Sequence, residues 1–169
     1  MKTTNPCFQL GLLAALLMSS AAHSQTVRNV FVPEEVFAGN SVGKGELRLL
    51  LGKGRPFTVE SRGTTQANGD FLLEQKMHFE GEPVQSRSWV MRQTSPGRYF
   101  ATLTGAAGPA EGRTEGSRLT LRYPLTRWGL VMHQTLDLTE DRQAVKNYGS
   151  IRFLGIQVGQ LQETIQLKH

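Results

Sequence analysis

The stretch at residues 68–79 reads NGDFLLEQKMHF and carries the clearest strand signal in the chain. Its Asn-Gly start is a strong signal for a β-hairpin, because both residues tolerate positive φ. Apolar and polar side chains then alternate with period two, which places one set on each face of a strand. The apolar set is Phe71, Leu73, Met77 and Phe79. The stretch therefore predicts a half-buried β-strand that is entered through a tight turn.

The same alternation recurs from about residue 42 to the carboxyl end, in short runs separated by turn residues. We expect an all-β fold, an antiparallel up-and-down meander of eight or nine strands. A meander of that size removes its exposed edges most simply by closing into a calycin-like or lipocalin-like barrel, and a β-sandwich is the alternative. The glycine-rich residues 105–116 are expected to form a loop. Residues 26–40 are expected to form a loop or short helix that plugs one end.

The amino-terminal residues are expected to form a cleavable export signal. Lys2 precedes the apolar run LGLLAALLM at residues 10–18, and small residues follow as far as Ser24. That order is typical of a secretory signal, and the run is too short to cross a bilayer as a helix. We predict a signal over residues 1–24, a single β-barrel domain over residues 25–169, and export, with the periplasm as the expected location.

The position of Cys7, the only cysteine, bears on how the exported protein is held. A lipoprotein signal needs its cysteine at the cleavage point, whereas Cys7 lies before the apolar run. The mature protein is therefore expected to be released, with no stable membrane anchor. It should also lack disulfides and Cys-based metal sites.

The charge of the chain excludes one class of partner. There are 19 Lys and Arg residues against 14 Asp and Glu, a net charge of +5, but the basic residues are scattered along the sequence. A nucleic-acid interface needs its cations clustered on one face, so no nucleic-acid partner is expected.

The histidines lack metal-ligand spacing and no catalytic triad stands out. We predict no cofactor, no metal site and no catalytic residue.

The motif GPAEGRTEGSRLTLRY at residues 108–123 carries a resemblance to a known family. Shorter motifs lie in the same order along the chain, namely FAG at 37–39, Arg87-x-Trp89, and Asn147 followed by GIQVG at 155–159. Together they resemble DUF3833, an uncharacterised family of bacterial envelope proteins. The resemblance implies a lipocalin-like barrel. It implies no particular activity, because none is established for the family. The sequence departs from the family pattern at Gln75, where an acidic residue is usual.

Several polar residues lie in the apolar phase of their strands and are therefore expected to point into the barrel. Glu163 lies at a position where the strand pattern calls for an apolar side chain, and so does Arg87. A buried charge must be paired or neutralised. One interpretation is that Glu163 meets an Arg or Tyr and fixes the strand register. The other is that a set of inward residues lines a ligand cavity: Gln75, Arg87, Trp89, Met91, Tyr123, Met132, Gln134 and Glu163.

Three functions are compatible with these patterns. The leading hypothesis is an exported, non-catalytic barrel that binds or carries a small, mostly apolar molecule in the cell envelope, in a cavity of roughly several hundred Å³. The alternative is an envelope structural or protein-interaction module with a filled barrel and no ligand, using an exposed apolar patch or residues 105–116. The third is a barrel isomerase or cyclase, which needs Glu163 or Arg87 accessible and with perturbed titration. The patterns predict no oligomeric state.

Overall fold

The computed structural model describes residues 29–168. The predicted signal at residues 1–24, Cys7 and the predicted domain boundaries at residues 25 and 169 lie outside the described residues. A short helix, α1 (Pro33–Val36), precedes ten strands. These are β1 (Gly39–Leu49), β2 (Arg55–Thr65), β3 (Phe71–Phe79), β4 (Gln85–Ser95), β5 (Arg98–Leu103), β6 (Ala110–Glu115), β7 (Arg118–Pro124), β8 (Leu130–Leu138), β9 (Ala144–Phe153) and β10 (Ile156–Lys168).

The strands form one closed antiparallel barrel. Each strand pairs with the next in sequence, and β10 pairs with β1 to close the sheet. Closure leaves no open sheet edge along the barrel wall. The predicted all-β meander and its closure are confirmed, with ten strands instead of eight or nine.

The prediction of a loop over residues 105–116 is wrong in its second half. Strand β6 lies there and pairs with β5 on one side and β7 on the other. Its buried residues are Ala110 and Gly112. Because neither has a large apolar side chain, the strand shows no period-two hydrophobic signal.

One end of the barrel, here called the plugged end, is covered by the segment that precedes β1. Phe31, Val36 and Phe37 are buried there, and the backbone N–H of Phe31 donates a hydrogen bond of 2.8 Å to the carbonyl of Gly116. Pro33 lies in the first turn of α1, where its missing N–H is tolerated. The expected plug over residues 26–40 is therefore present in the part of it that is described, and it contains a short helix.

The opposite end, here called the far end, carries five connections between strands. They are residues 50–54, 80–84, 104–109, 125–129 and 154–155. Between the two ends, inward side chains form a large cluster that includes Trp89 and Val145, and a smaller cluster around Phe57 and Met77.

None of the helices in residues 29–168 is both long enough and apolar enough to span a bilayer.

Candidate functional site

A first polar cluster, here called the Gln75 group, lies on the inner wall of β2, β3 and β4. Strand pairing places Gln75 opposite Ser61 and Arg87. Gln75 Oε1 accepts hydrogen bonds from Arg87 Nε at 2.8 Å and from Trp89 Nε1 at 3.2 Å. Gln75 Nε2 donates to Ser61 Oγ at 3.2 Å. A neutral amide thus holds the Arg87 guanidinium and the Trp89 indole in fixed positions on the wall.

A second polar cluster, here called the Glu163 group, crosses the inner wall of β7 to β10. Tyr123 donates its hydroxyl hydrogen to Gln134 Oε1 at 3.0 Å, and Gln134 Nε2 donates to Asn147 Oδ1 at 3.3 Å. Asn147 Nδ2 then donates to Glu163 Oε2 at 2.8 Å. These side chains are buried, so each hydrogen bond replaces one that water would have made. The group joins four neighbouring strands by side chains alone.

The two groups meet where the Trp89 and Tyr123 rings make an edge-to-face contact. Their ring centroids are 5.1 Å apart and their planes differ by 88°. That arrangement is one of the favourable geometries for two aromatic rings. The contact links the two clusters into one band of polar and aromatic side chains inside the barrel.

Burial dominates the electrostatics of this band. It raises the pKa of the Glu163 carboxyl, while the hydrogen bond from Asn147 and the charge of Arg87 act in the opposite direction. Burial also lowers the pKa of Arg87, against the effects of Tyr123 and Glu163, and raises the pKa of Tyr123 to about 12. The Tyr123 hydroxyl is therefore neutral at ordinary pH and available as a donor.

The expectation that Glu163 meets an Arg or a Tyr is wrong. Its hydrogen-bond partner is Asn147, and among residues 29–168 no ion pair joins Glu163 to a cation. Asn147 lies opposite Glu163 in the β9–β10 pairing, so the amide reaches the carboxylate directly. Glu163 is only 8% exposed, which makes it a buried carboxyl supported by neutral groups.

A cavity of about 40 Å³ lies inside the barrel between the two groups. Six of the eight predicted lining residues border it, namely Gln75, Arg87, Trp89, Met91, Gln134 and Glu163. Tyr123 and Met132 are buried in the same core without bordering it. The expected cavity of several hundred Å³ is wrong, because side chains fill most of the interior. The remaining space suits on the order of two or three water molecules.

Three polar residues that border this cavity were not among the predicted lining residues. They are Ser41, Ser61 and Asn147. Ser41 Oγ is buried and has no hydrogen-bond partner among residues 29–168. Asn147 could have been found, because it alternates with the buried Val145 and Ile151 along β9. The serines are small and polar and carry no comparable sequence signal.

The geometry also bears on the isomerase or cyclase interpretation. The pKa values of Glu163 and Arg87 are both perturbed, as that interpretation requires. Access to Glu163 is missing in this conformation, because the cavity beside it is of water size, whereas Arg87 is half-buried. In the described part of the chain, no group of three or more His, Cys, Asp or Glu side chains is placed to hold a metal ion.

Two solved structures share the barrel. The S-type phycobiliprotein lyase of Guillardia theta superposes with a TM-score of 0.64 at 8% identity, over 80% of this chain and 90% of the lyase. A protein of unknown function from the DUF3598 family of Nostoc punctiforme PCC 73102 gives a TM-score of 0.58 at 10% identity, over 86% of this chain and 53% of that one. At these identities the likeness shows the fold alone.

Sequence comparison assigns the family. Comparison with curated proteins finds no match. Residues 10–167 match the model of the family described as protein of unknown function, DUF3833. That range includes every motif on which the resemblance was based and nearly the whole chain. The resemblance is confirmed, and the chain belongs to the DUF3833 family.

Proposed function

We propose that the barrel binds a small, largely apolar molecule and holds its polar end in the cavity between the Gln75 group and the Glu163 group. The observation that carries the proposal is unused hydrogen-bonding capacity around this cavity. Ser41 Oγ is buried and has no hydrogen-bond partner in residues 29–168. Arg87 is half-buried and uses only Nε toward a described acceptor. Because buried polar groups normally have partners, a bound polar group would satisfy Ser41 and would replace solvent at the Arg87 guanidinium.

The chemistry of the wall favours a ligand that carries an oxygen-bearing group. Arg87 supplies a cation, and the raised pKa of Glu163 favours its neutral form, which donates a proton in a hydrogen bond. A carboxylate, carbonyl or hydroxyl oxygen on the ligand would accept hydrogen bonds from both Arg87 and the neutral Glu163. The cavity has room only for such a group, so the apolar part of the ligand would extend toward the far end. Met77 lies in that direction and offers an adaptable side chain.

Export and the absence of catalysis are part of the proposal. The signal pattern at residues 1–24 supports a role in the cell envelope, where a released barrel could carry its ligand by diffusion. The likeness to a protein named a lyase supports the idea that this fold can handle another molecule. At 8% identity it does not bring the activity of that lyase to this chain.

Native mass spectrometry of the protein purified from its own cells tests the proposal. The wild type should carry a small molecule that Arg87→Met, which keeps much of the volume but removes the charge, has lost. Arg62→Met is the matched control, because Arg62 lies on the exposed face of β2. The proposal is contradicted if the wild type never carries a small molecule, or if both variants retain it equally.

A second candidate is a structural or protein-interaction module with a filled barrel. The small cavity favours it, and so do exposed apolar side chains at the far end, where Leu51 is 100% exposed. Residues 105–116 are a poorer surface for it than expected, because β6 is paired on both sides. This candidate predicts that a second protein chain, instead of a small molecule, accompanies the purified barrel.

A further inference from the structure

Three neighbouring loops at the far end form a surface here called the apolar rim. The strand order β1-β10-β9-β8-β7 places residues 50–54, 154–155 and 125–129 side by side. The backbone N–H of Leu50 donates to the carbonyl of Val158 at 2.9 Å, and Phe153 pairs with Leu130. These contacts hold the three loops in a fixed arrangement on one side of the far end.

The rim exposes large apolar side chains that residues 29–168 leave uncovered. Leu51 is 100% exposed, Trp128 85% and Leu154 79%. Leu50 is 70% exposed, and Ile156, which directly follows the rim at the start of β10, is 69% exposed. Single exposed apolar residues are common on protein surfaces, but several large ones on neighbouring loops are typical of an interaction site.

The charges around the rim are mostly positive. Residues 47–54, 125–131 and 150–160 contain Arg48, Lys53, Arg127 and Arg152 but no Asp or Glu. Arg48 pairs with Glu46, which lies just outside these segments. The carboxylate of Glu46 lies against Gly54 of the rim, and the other acidic side chains at this end lie in the separate loop at residues 80–84, where Glu82 pairs with Arg55. Cations therefore outnumber carboxylates around the leucines and Trp128.

We propose that the apolar rim docks reversibly on an anionic lipid bilayer. Leucine side chains would enter the boundary between headgroups and acyl chains, and Trp128 would lie at the interface, where indole rings are favoured. Lys53, Arg127 and Arg152 would contact lipid phosphates. Charge complementarity favours this partner, because cations that ring an apolar tip match an anionic, apolar surface. Contact of this kind is not a stable anchor, and it does not depend on the interior site.

Flotation with lipid vesicles tests the proposal. The full chain should float with vesicles of phosphatidylglycerol and phosphatidylcholine and much less with phosphatidylcholine alone. Leu51→Asp combined with Leu154→Asp should lower the bound fraction at least about tenfold, because it removes two leucine side chains that the bilayer would bury. Lys53→Glu combined with Arg127→Glu should weaken binding to the anionic vesicles and reduce its dependence on salt.

The matched control combines Val90→Asp with Phe100→Asp, which adds the same charge on the outer wall of β4 and β5. All samples carry the same residues 1–28, so that segment contributes equally to each, and thermal melting confirms that each variant is folded. The control should float like the wild type. Equal flotation of the rim variant, or no flotation of the wild type, overturns the proposal. A wild-type dimer that only the rim variant dissociates, without vesicle binding, assigns the rim to a second copy and also overturns it.

Discussion

Asn147 Nδ2 donates a 2.8 Å hydrogen bond to Glu163 Oε2 across the β9–β10 ladder, inside the barrel. The hydrogen-bond partner of the buried carboxyl is therefore a neutral amide. Burial outweighs the hydrogen bond from Asn147 and the charge of Arg87, which both lower the pKa of Glu163, and the net shift is upward. The protonation state of Glu163 thus depends on its burial, on Asn147 and on Arg87.

Glu163→Gln should remove a pH-dependent loss of stability. A raised pKa means that the folded state binds the proton more tightly than the unfolded state. The free energy of unfolding therefore falls as pH rises from near 4.5 through the raised pKa of Glu163. The glutamine variant lacks this change, so its stability relative to wild type should increase between about pH 4 and about pH 8. Urea unfolding at both pH values measures the difference.

Glu74→Gln, on the exposed face of β3, is the control for that comparison. It should change the free energy of unfolding little at either pH. A stability difference between Glu163→Gln and wild type that stays constant across the pH range would contradict the raised pKa.

Tyr123→Phe should destabilise the barrel by about 1–3 kcal/mol, because it leaves the buried Gln134 Oε1 without its donor while keeping the ring contact with Trp89. Tyr148→Phe removes the same atom from an exposed ring on β9 and should change stability by less than about 0.5 kcal/mol. Urea unfolding of both variants measures the effects. Equal effects at the two positions would show that the Tyr123 hydroxyl contributes nothing specific.

Gly43→Ala should disturb Glu163 directly, because a Cβ at this position would overlap with the Glu163 carboxylate. The overlap disappears when Glu163 is shortened, so Gly43→Ala should be less destabilising in a Glu163→Ala background. The coupling in a double-mutant cycle should be about 0.5–3 kcal/mol.

Gly45→Ala provides the comparison for this cycle. A Cβ there would overlap with the backbone oxygen of Gln162, which no change at Glu163 removes. Its effect on stability should therefore be similar in both backgrounds. Additive effects for Gly43 and Glu163 would argue against the contact between them.

The sequence predicts the inner wall well wherever large side chains alternate. Trp89, Met91 and Glu163 lie inside, as the period-two pattern indicates, because a side chain's face in a strand follows from its position alone. The pattern also identifies Gln75 and Gln134 as inward polar residues. Both take part in the hydrogen-bonded groups.

Strands with small inward residues are harder to predict. In β6 the buried residues are Ala110 and Gly112, and in β1 they are Ser41 and Gly43. Such residues allow close packing, but they give the sequence of the strand no period-two hydrophobic pattern. The partner of Glu163 and the size of the cavity depend on contacts between strands that are distant in sequence. The period-two pattern of a single strand carries no information about such contacts.

The ¹H–¹⁵N spectrum of the tryptophan indoles tests the interior binding site most directly. The chain has two tryptophans, Trp89 beside the cavity and Trp128 on the apolar rim, and Trp128→Phe assigns their signals. An organic extract of the cells that make the protein should shift the Trp89 indole signal in the wild type and in Arg62→Met, but not in Arg87→Met. A Trp89 signal that does not move with the extract, whatever happens to Trp128, would contradict ligand binding between the Gln75 group and the Glu163 group.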